Sequence, residues 1–98
     1  MFIKVKICGI TNVEDASIAV DYGADAIGFV FYPKSSRYIS LNDAARISAM
    51  IPPFISVVGV FVNASYEFIK EVINQVKIDI VQLHGNESPD FCKMFNGK

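Results

Sequence analysis

Four residues fall where a chain of this pattern could do chemistry. Cys8 closes an alternating run, Ile3 to Cys8 (I-K-V-K-I-C), and Gly9-Ile10-Thr11 follow it. A cysteine there can pack as a small hydrophobe, or act as a thiolate base or nucleophile. Lys6, two residues back on the same strand face, favours the thiolate if it lies close. Arg37 sits in a polar stretch, Tyr32-Pro33-Lys34-Ser35-Ser36-Arg37-Tyr38. It suits either a solvated loop or the capture of an anion, because a guanidinium grips a carboxylate or phosphate through two parallel hydrogen bonds. His84 is the single histidine, ends another apolar run and precedes Gly85. It can orient a substrate, donate a proton, or simply bond a neighbouring carbonyl. Gln82 shares its strand face two residues earlier.

The elements that must position these groups alternate through four cycles. Strands are expected near 3–8, 26–31, 55–62 and 78–84, each ending in turn-forming or polar residues. Thr11 or Asn12 can cap a first helix, with Glu14 and Asp15 favourable in its first turn and Gly23 at its end. Ser40 caps a second that Pro52-Pro53 stop, and Ser65 opens a third. Ser88-Pro89 opens a fourth that runs to Asn96-Gly97. Strands apolar on both faces, each followed by a helix, imply a parallel sheet covered by helices.

Two architectures fit that order: a small doubly wound sheet, or half of a (β/α)8 barrel. The polar residues decide. Lys6 with Cys8, and Gln82 with His84, occupy one face of the first and last strands. Under helices they would be costly to bury, whereas the inner face of a barrel gathers such groups. The expected fold is therefore α/β, a single (βα)4 half-barrel over residues 1–98 with helices on the outer face. Its uncovered inner face is expected to hold Val30, Val57, Phe61 and Ile80, and its first and fourth strands are bare edges open to self-association. A lysine on that inner face calls for a carboxylate partner, which these strands do not supply.

Composition excludes several classes. The chain has 98 residues, 52% of them apolar, with nine basic against ten acidic side chains. That is too apolar for disorder, and without a basic cluster it has no nucleic-acid footprint. The apolar stretch from Ile51 to Val62 falls short of the roughly 20 residues needed to span a bilayer. No signal-peptide pattern opens the sequence, so a cytoplasmic location with reduced Cys8 and Cys92 is expected. No nucleotide-binding glycine motif and no metal-ligand spacing is present, so neither cofactor nor metal is expected.

Together the strand ends resemble phosphoribosylanthranilate isomerase of tryptophan biosynthesis. The matching pieces are Lys6-Ile7-Cys8-Gly9-Ile10-Thr11, the stretch from Gly28 through Arg37 to Ile39, Val58-Gly59-Val60-Phe61-Val62-Asn63, and Val81-Gln82-Leu83-His84-Gly85-Asn86-Glu87. The resemblance implies a TIM (β/α)8 barrel performing a cofactor-free Amadori rearrangement of N-(5-phosphoribosyl)anthranilate. It implies Cys8 as general base, Arg37 as the anthranilate-carboxylate binder, and Gln82 and His84 lining the site. It also implies an N-terminal half, without the family's later aspartate acid or its phosphate site, with little activity unless a complementary half docks. The alternative is a freestanding α/β module that binds an anion at Arg37, or regulates, without catalysis.

Overall fold

The computed structural model describes residues 5–95. Four strands, β1 (Lys6–Cys8), β2 (Ala26–Val30), β3 (Ser56–Phe61) and β4 (Ile80–Leu83), alternate with four helices, α1 (Val13–Asp21), α2 (Leu41–Ser48), α3 (Tyr66–Gln75) and α4 (Pro89–Lys93). The expected strand start at Ile3 and helix stop at Asn96-Gly97 lie outside the described residues. No helix among the described residues is long and apolar enough to cross a membrane.

Each helix starts where the sequence places a small polar side chain. Asn12 caps α1, accepting from Asp15 N–H at 2.8 Å. Ser40, Ser65 and Ser88 cap the other three, accepting from Asp43, Phe68 and Phe91 N–H at 3.2, 3.1 and 3.1 Å. Each cap satisfies an N–H that the helix leaves unpaired, worth about 1 kcal/mol. Gly23, at φ +83°, lets the chain leave α1 and turn into β2.

All strands pair in parallel in the order β1-β2-β3-β4. A doubly wound sheet reverses strand order at its switch point; this sheet never does. Successive right-handed crossovers then stack every helix on one face, as in a barrel. The core accordingly lies on one side, where Ile27, Phe29, Val57 and Phe61 are fully buried against Ala44, Ile47, Ile69 and Val72 of the helices.

Register corrects the expected inner face. Val57 pairs with Ile27, and both belong to the helix-side core, as does Phe61. The opposite face carries Cys8, Gly28, Val58 and Ile80 in one row and Val30, Val60 and Gln82 in the next. Val30 and Ile80 therefore stand where expected, while Val57 and Phe61 do not. Nor is the centre of that face bare, since Val58 and Val60 are only 3% and 7% exposed. Lys6 Nζ donates to Gln82 Oε1 at 2.6 Å, joining the two outermost strands across the concavity. Among these four strands an amide is its partner, which suffices while Lys6 is exposed and its charge solvated. Open apolar surface lies at the edges instead: Val5, Ile7 and Ile80 are 45%, 40% and 43% exposed.

At the strand amino ends two aspartates repeat one device. Asp25, just before β2, accepts from Val5 N–H at 2.7 Å, and Asp79, just before β4, accepts from Val57 N–H at 2.8 Å. Each fastens an adjacent strand.

Candidate functional site

The carboxyl ends of the strands carry the residues that the sequence singles out. Cys8 ends β1 on the inner face, half-buried, with a free thiol. Its neighbour Gly28 is needed there: a Cβ on Gly28 would stand 3.0 Å from Cys8 Sγ. After Cys8 the chain turns at once. Gly9 adopts φ +84°, and the N–H groups of Gly9 and Ile10 both donate to Gly28 O, at 3.0 and 3.1 Å. Only glycine takes that backbone conformation without strain.

The missing Cβ of Gly9 also makes room for Arg37. A Cβ there would lie 2.3 Å from Arg37 Cδ and 2.9 Å from its Nη1. Arg37 thus lies flat on the turn and donates from Nη1 to Cys8 O at 3.2 Å. Its own loop is held by Ser35, whose Oγ accepts from Arg37 N–H at 3.1 Å and whose carbonyl accepts from Tyr38 N–H at 3.2 Å. The ion pair found among the described residues joins the exposed side chains of Asp43 and Arg46 on α2, so Arg37 has no acidic partner among those residues. A guanidinium has five N–H donors; one is committed to Cys8 O, and the others make no hydrogen bond among the described residues. A groove of about 630 Å³ brings Cys8, Gly9, Thr11, Ser36 and Arg37 together at its upper end. Its lower part runs along the open edge of β1, past Val5, Ile7, Ile18 and Tyr22.

Gln82 and His84 stand on the far side of the same rim. Gln82 is occupied by Lys6. His84 continues the β4 ladder, its backbone N–H donating to Phe61 O at 2.8 Å, and its side chain is exposed. The structure therefore unites Cys8 with Arg37, joins Gln82 to Lys6, and leaves His84 on the rim without a side-chain hydrogen bond among the described residues. No group of three His, Cys, Asp or Glu among the described residues could hold a metal ion.

Two rim residues escaped sequence reasoning. Asn63 sits at φ +50° after β3, and Glu87 reaches back to it. Glu87 accepts from Asn63 N–H at 2.7 Å and from Gly85 N–H at 2.8 Å. Burial pushes its carboxyl up, but the N–H donors of Asn63, Glu87 itself and Gly85, with His84 nearby, outweigh that and hold it below the ordinary value. An Asn after a strand with Gly-Asn-Glu after the next was the available signal.

Comparison with known proteins is consistent across three lines. The family model described as N-(5'-phosphoribosyl)anthranilate (PRA) isomerase matches residues 5–97. The N-(5'-phosphoribosyl)anthranilate isomerase of Thermotoga petrophila is 58% identical over 91 residues, covering 93% of this chain and 44% of its own length. The crystal structure of phosphoribosyl anthranilate isomerase from Thermotoga maritima superposes with a TM-score of 0.93 at 56% identity, over 96% of this chain and 46% of that one. A second crystal structure of phosphoribosyl anthranilate isomerase, in complex with reduced 1-(o-carboxyphenylamino)-1-deoxyribulose 5-phosphate, matches with the same TM-score of 0.93 and 56% identity, covering 96% and 48%. The chain spans about half the length of the curated relatives it matches.

Proposed function

The chain belongs to the N-(5'-phosphoribosyl)anthranilate isomerase family, and from that premise we propose that its four strand ends supply the base and the carboxylate-binding side of an isomerase site. The reaction is the Amadori rearrangement of N-(5-phosphoribosyl)anthranilate to 1-(2-carboxyphenylamino)-1-deoxyribulose 5-phosphate. An acid protonates the furanose oxygen, the bond from that oxygen to C1 breaks, and the anthranilate nitrogen lone pair forms the iminium. Cys8, as thiolate, takes the proton from C2, and the electron pair of that C–H bond neutralises the iminium to an enolamine. Reprotonation at C1, with loss of the C2 hydroxyl proton as the C2 carbonyl forms, gives the ketose. Arg37 holds the anthranilate carboxylate through its free N–H donors. His84 and Gln82 line the opposite rim, with Gln82 steadied by Lys6.

The observation that carries this reading is the Arg37 bond to Cys8 O over Gly9. It gives a cation with no ion pair among the described residues and a thiol one shared turn, so a ligand held by the cation lies beside the thiol. The relative that holds the reduced form of the proposed product supports the substrate class. The furanose-protonating acid is an aspartate of a later strand by family resemblance, outside these four units. Activity therefore needs four further βα units, on the same polypeptide or on another, docked along the open edges of β1 and β4. A biosynthetic isomerase of this kind works in the cytoplasm.

The test joins these residues to the remaining four units of the Thermotoga petrophila relative and follows turnover of freshly made substrate. The joined barrel turns over; Cys8→Ala slows it on the order of 10²–10⁴-fold, the share typical of a general base. Full activity in Cys8→Ala overturns the assignment. The rival reading, an anion-binding module without chemistry, rests on the same Arg37 and requires binding with no turnover at all.

A further inference from the structure

We infer that Glu87, acting with Asn63, is a positioning residue that locks the β3–α3 turn to the β4–α4 turn and so fixes His84 on the rim. The inference rests on the reading of His84 as a site residue.

Four hydrogen bonds build the lock. Glu87 Oε2 accepts from Asn63 N–H at 2.7 Å, and Glu87 Oε1 accepts from Gly85 N–H at 2.8 Å. In return, Asn63 Oδ1 accepts from Asn86 N–H at 2.8 Å. The fourth is the backbone bond from His84 N–H to Phe61 O, also 2.8 Å. His84 is thus held on its amino side by β3 and on its carboxyl side by a turn that grips Asn63.

Shape and charge both serve this lock. Gly85 must lack a side chain, since a Cβ would stand 2.6 Å from Asn63 Oδ1 and 3.0 Å from Asn63 N. Asn63 is at φ +50°, a conformation that asparagine tolerates better than most residues. Beneath it, Phe61 stacks on Phe31 with ring centroids 5.3 Å apart and meets Phe68 edge-on at 6.1 Å, a stiff base for the turn. Both Glu87 oxygens face N–H donors, so a carboxylate fits and a carboxamide does not: its NH₂ would confront one N–H. A turn that merely led into α4 would need only the local bond from Gly85. The reciprocal pair spanning 23 and 24 residues ties two loops into one body.

The experiment compares Glu87→Gln with the unsubstituted protein in two settings. In the 98-residue chain, hydrogen exchange at the Asn63 and Gly85 amides speeds up about tenfold in the variant, the loss of roughly one charged hydrogen bond, and the His84 ring resonances shift. In the joined barrel, kcat/KM falls about 10- to 100-fold, as misplacement of a site group does, with the barrel still folded and its melting temperature lowered by only a few degrees, about the cost of one hydrogen bond. Asn63→Gly serves as a second variant should Glu87→Gln fold poorly. It keeps the N–H donor and the positive φ but loses the bond to Asn86, and gives an intermediate loss. A lower melting temperature with unchanged kcat/KM and unmoved His84 resonances overturns the inference. Absence of turnover in the unsubstituted barrel sinks the site reading itself, while amide exchange still decides the lock.

Discussion

Replacing Gly9 with alanine separates what the turn needs from what Arg37 needs, because the structure contains its own control. Gly9 and Gly23 have nearly the same backbone, φ +84° and +83°. A Cβ at Gly23 meets nothing within 4 Å, whereas at Gly9 it lies 2.3 Å from Arg37 Cδ. The left-handed conformation costs an L-residue about 1–2 kcal/mol. Alanine restricts the unfolded chain and returns about 0.4–1 kcal/mol. Gly23→Ala therefore destabilises by about 1 kcal/mol, a fall in melting temperature of about 4–8 °C for a domain of this size. Gly9→Ala bears the same cost and also ejects Arg37 from its 3.2 Å bond to Cys8 O. That bond adds about 1 kcal/mol, for a total near 2 kcal/mol and about 8–16 °C.

Thermal and urea unfolding followed by circular dichroism measure both variants. Repeating Gly9→Ala in an Arg37→Ala background removes the clash, so the excess over Gly23→Ala vanishes and the cycle yields a coupling of about 1 kcal/mol. Anthranilate binding is lost in Gly9→Ala and kept in Gly23→Ala. Equal costs for the two glycines, or an excess that survives without Arg37, refute the placement of Arg37 over the turn.

The two strand-fastening aspartates differ in burial and so in consequence. Asp79→Ala strands the N–H of buried Val57 and costs about 1–3 kcal/mol, whereas Asp25→Ala leaves an exposed Val5 N–H that water can satisfy, costing at most about 1 kcal/mol in urea unfolding. Glu87 gives an acid-side signature: its folded carboxyl titrates below its unfolded value, so its contribution is complete above the ordinary carboxylate range and is lost as pH falls through the folded value. The stability gap between the protein and Glu87→Gln accordingly closes with acidification; a gap that widens there contradicts the assigned hydrogen bonds. The exposed edge residues Val5, Ile7 and Ile80 drive self-association of the 98-residue chain, so light scattering reports oligomers that Ile7→Lys shifts toward monomer.

Much of this was legible in the sequence wherever the signal was local. Ser40, Ser65 and Ser88 cap the helices they precede, and the choice between Thr11 and Asn12 falls to Asn12, whose side chain reaches Asp15 N–H. Faces of β1 and β4 could be assigned because Lys6, Cys8 and Gln82 break the apolar run with period two. The β3 strand could not, since Val57, Val58, Val60 and Phe61 are all apolar and either parity fits. Only pairing with Ile27 puts Val57 and Phe61 under the helices. The site shows the same division. Cys8 and Arg37 stood out by type and position, but the contact that unites them spans 29 residues and depends on a Cβ that Gly9 lacks. Glu87 bonds backbone N–H groups, so its only mark in the sequence is the Gly-Asn-Glu after β4 set against the Asn after β3.

Ligand protection of Cys8 tests most directly the claim that the thiol and Arg37 serve one ligand. Alkylation of Cys8 is timed in the joined barrel with and without anthranilate, with exposed Cys92 on α4 as the internal reference. Anthranilate is expected to slow alkylation of Cys8 and not of Cys92, and Arg37→Ala to abolish the protection. Alkylation of Cys8 at an unchanged rate under saturating anthranilate, or protection that persists without Arg37, would contradict that claim.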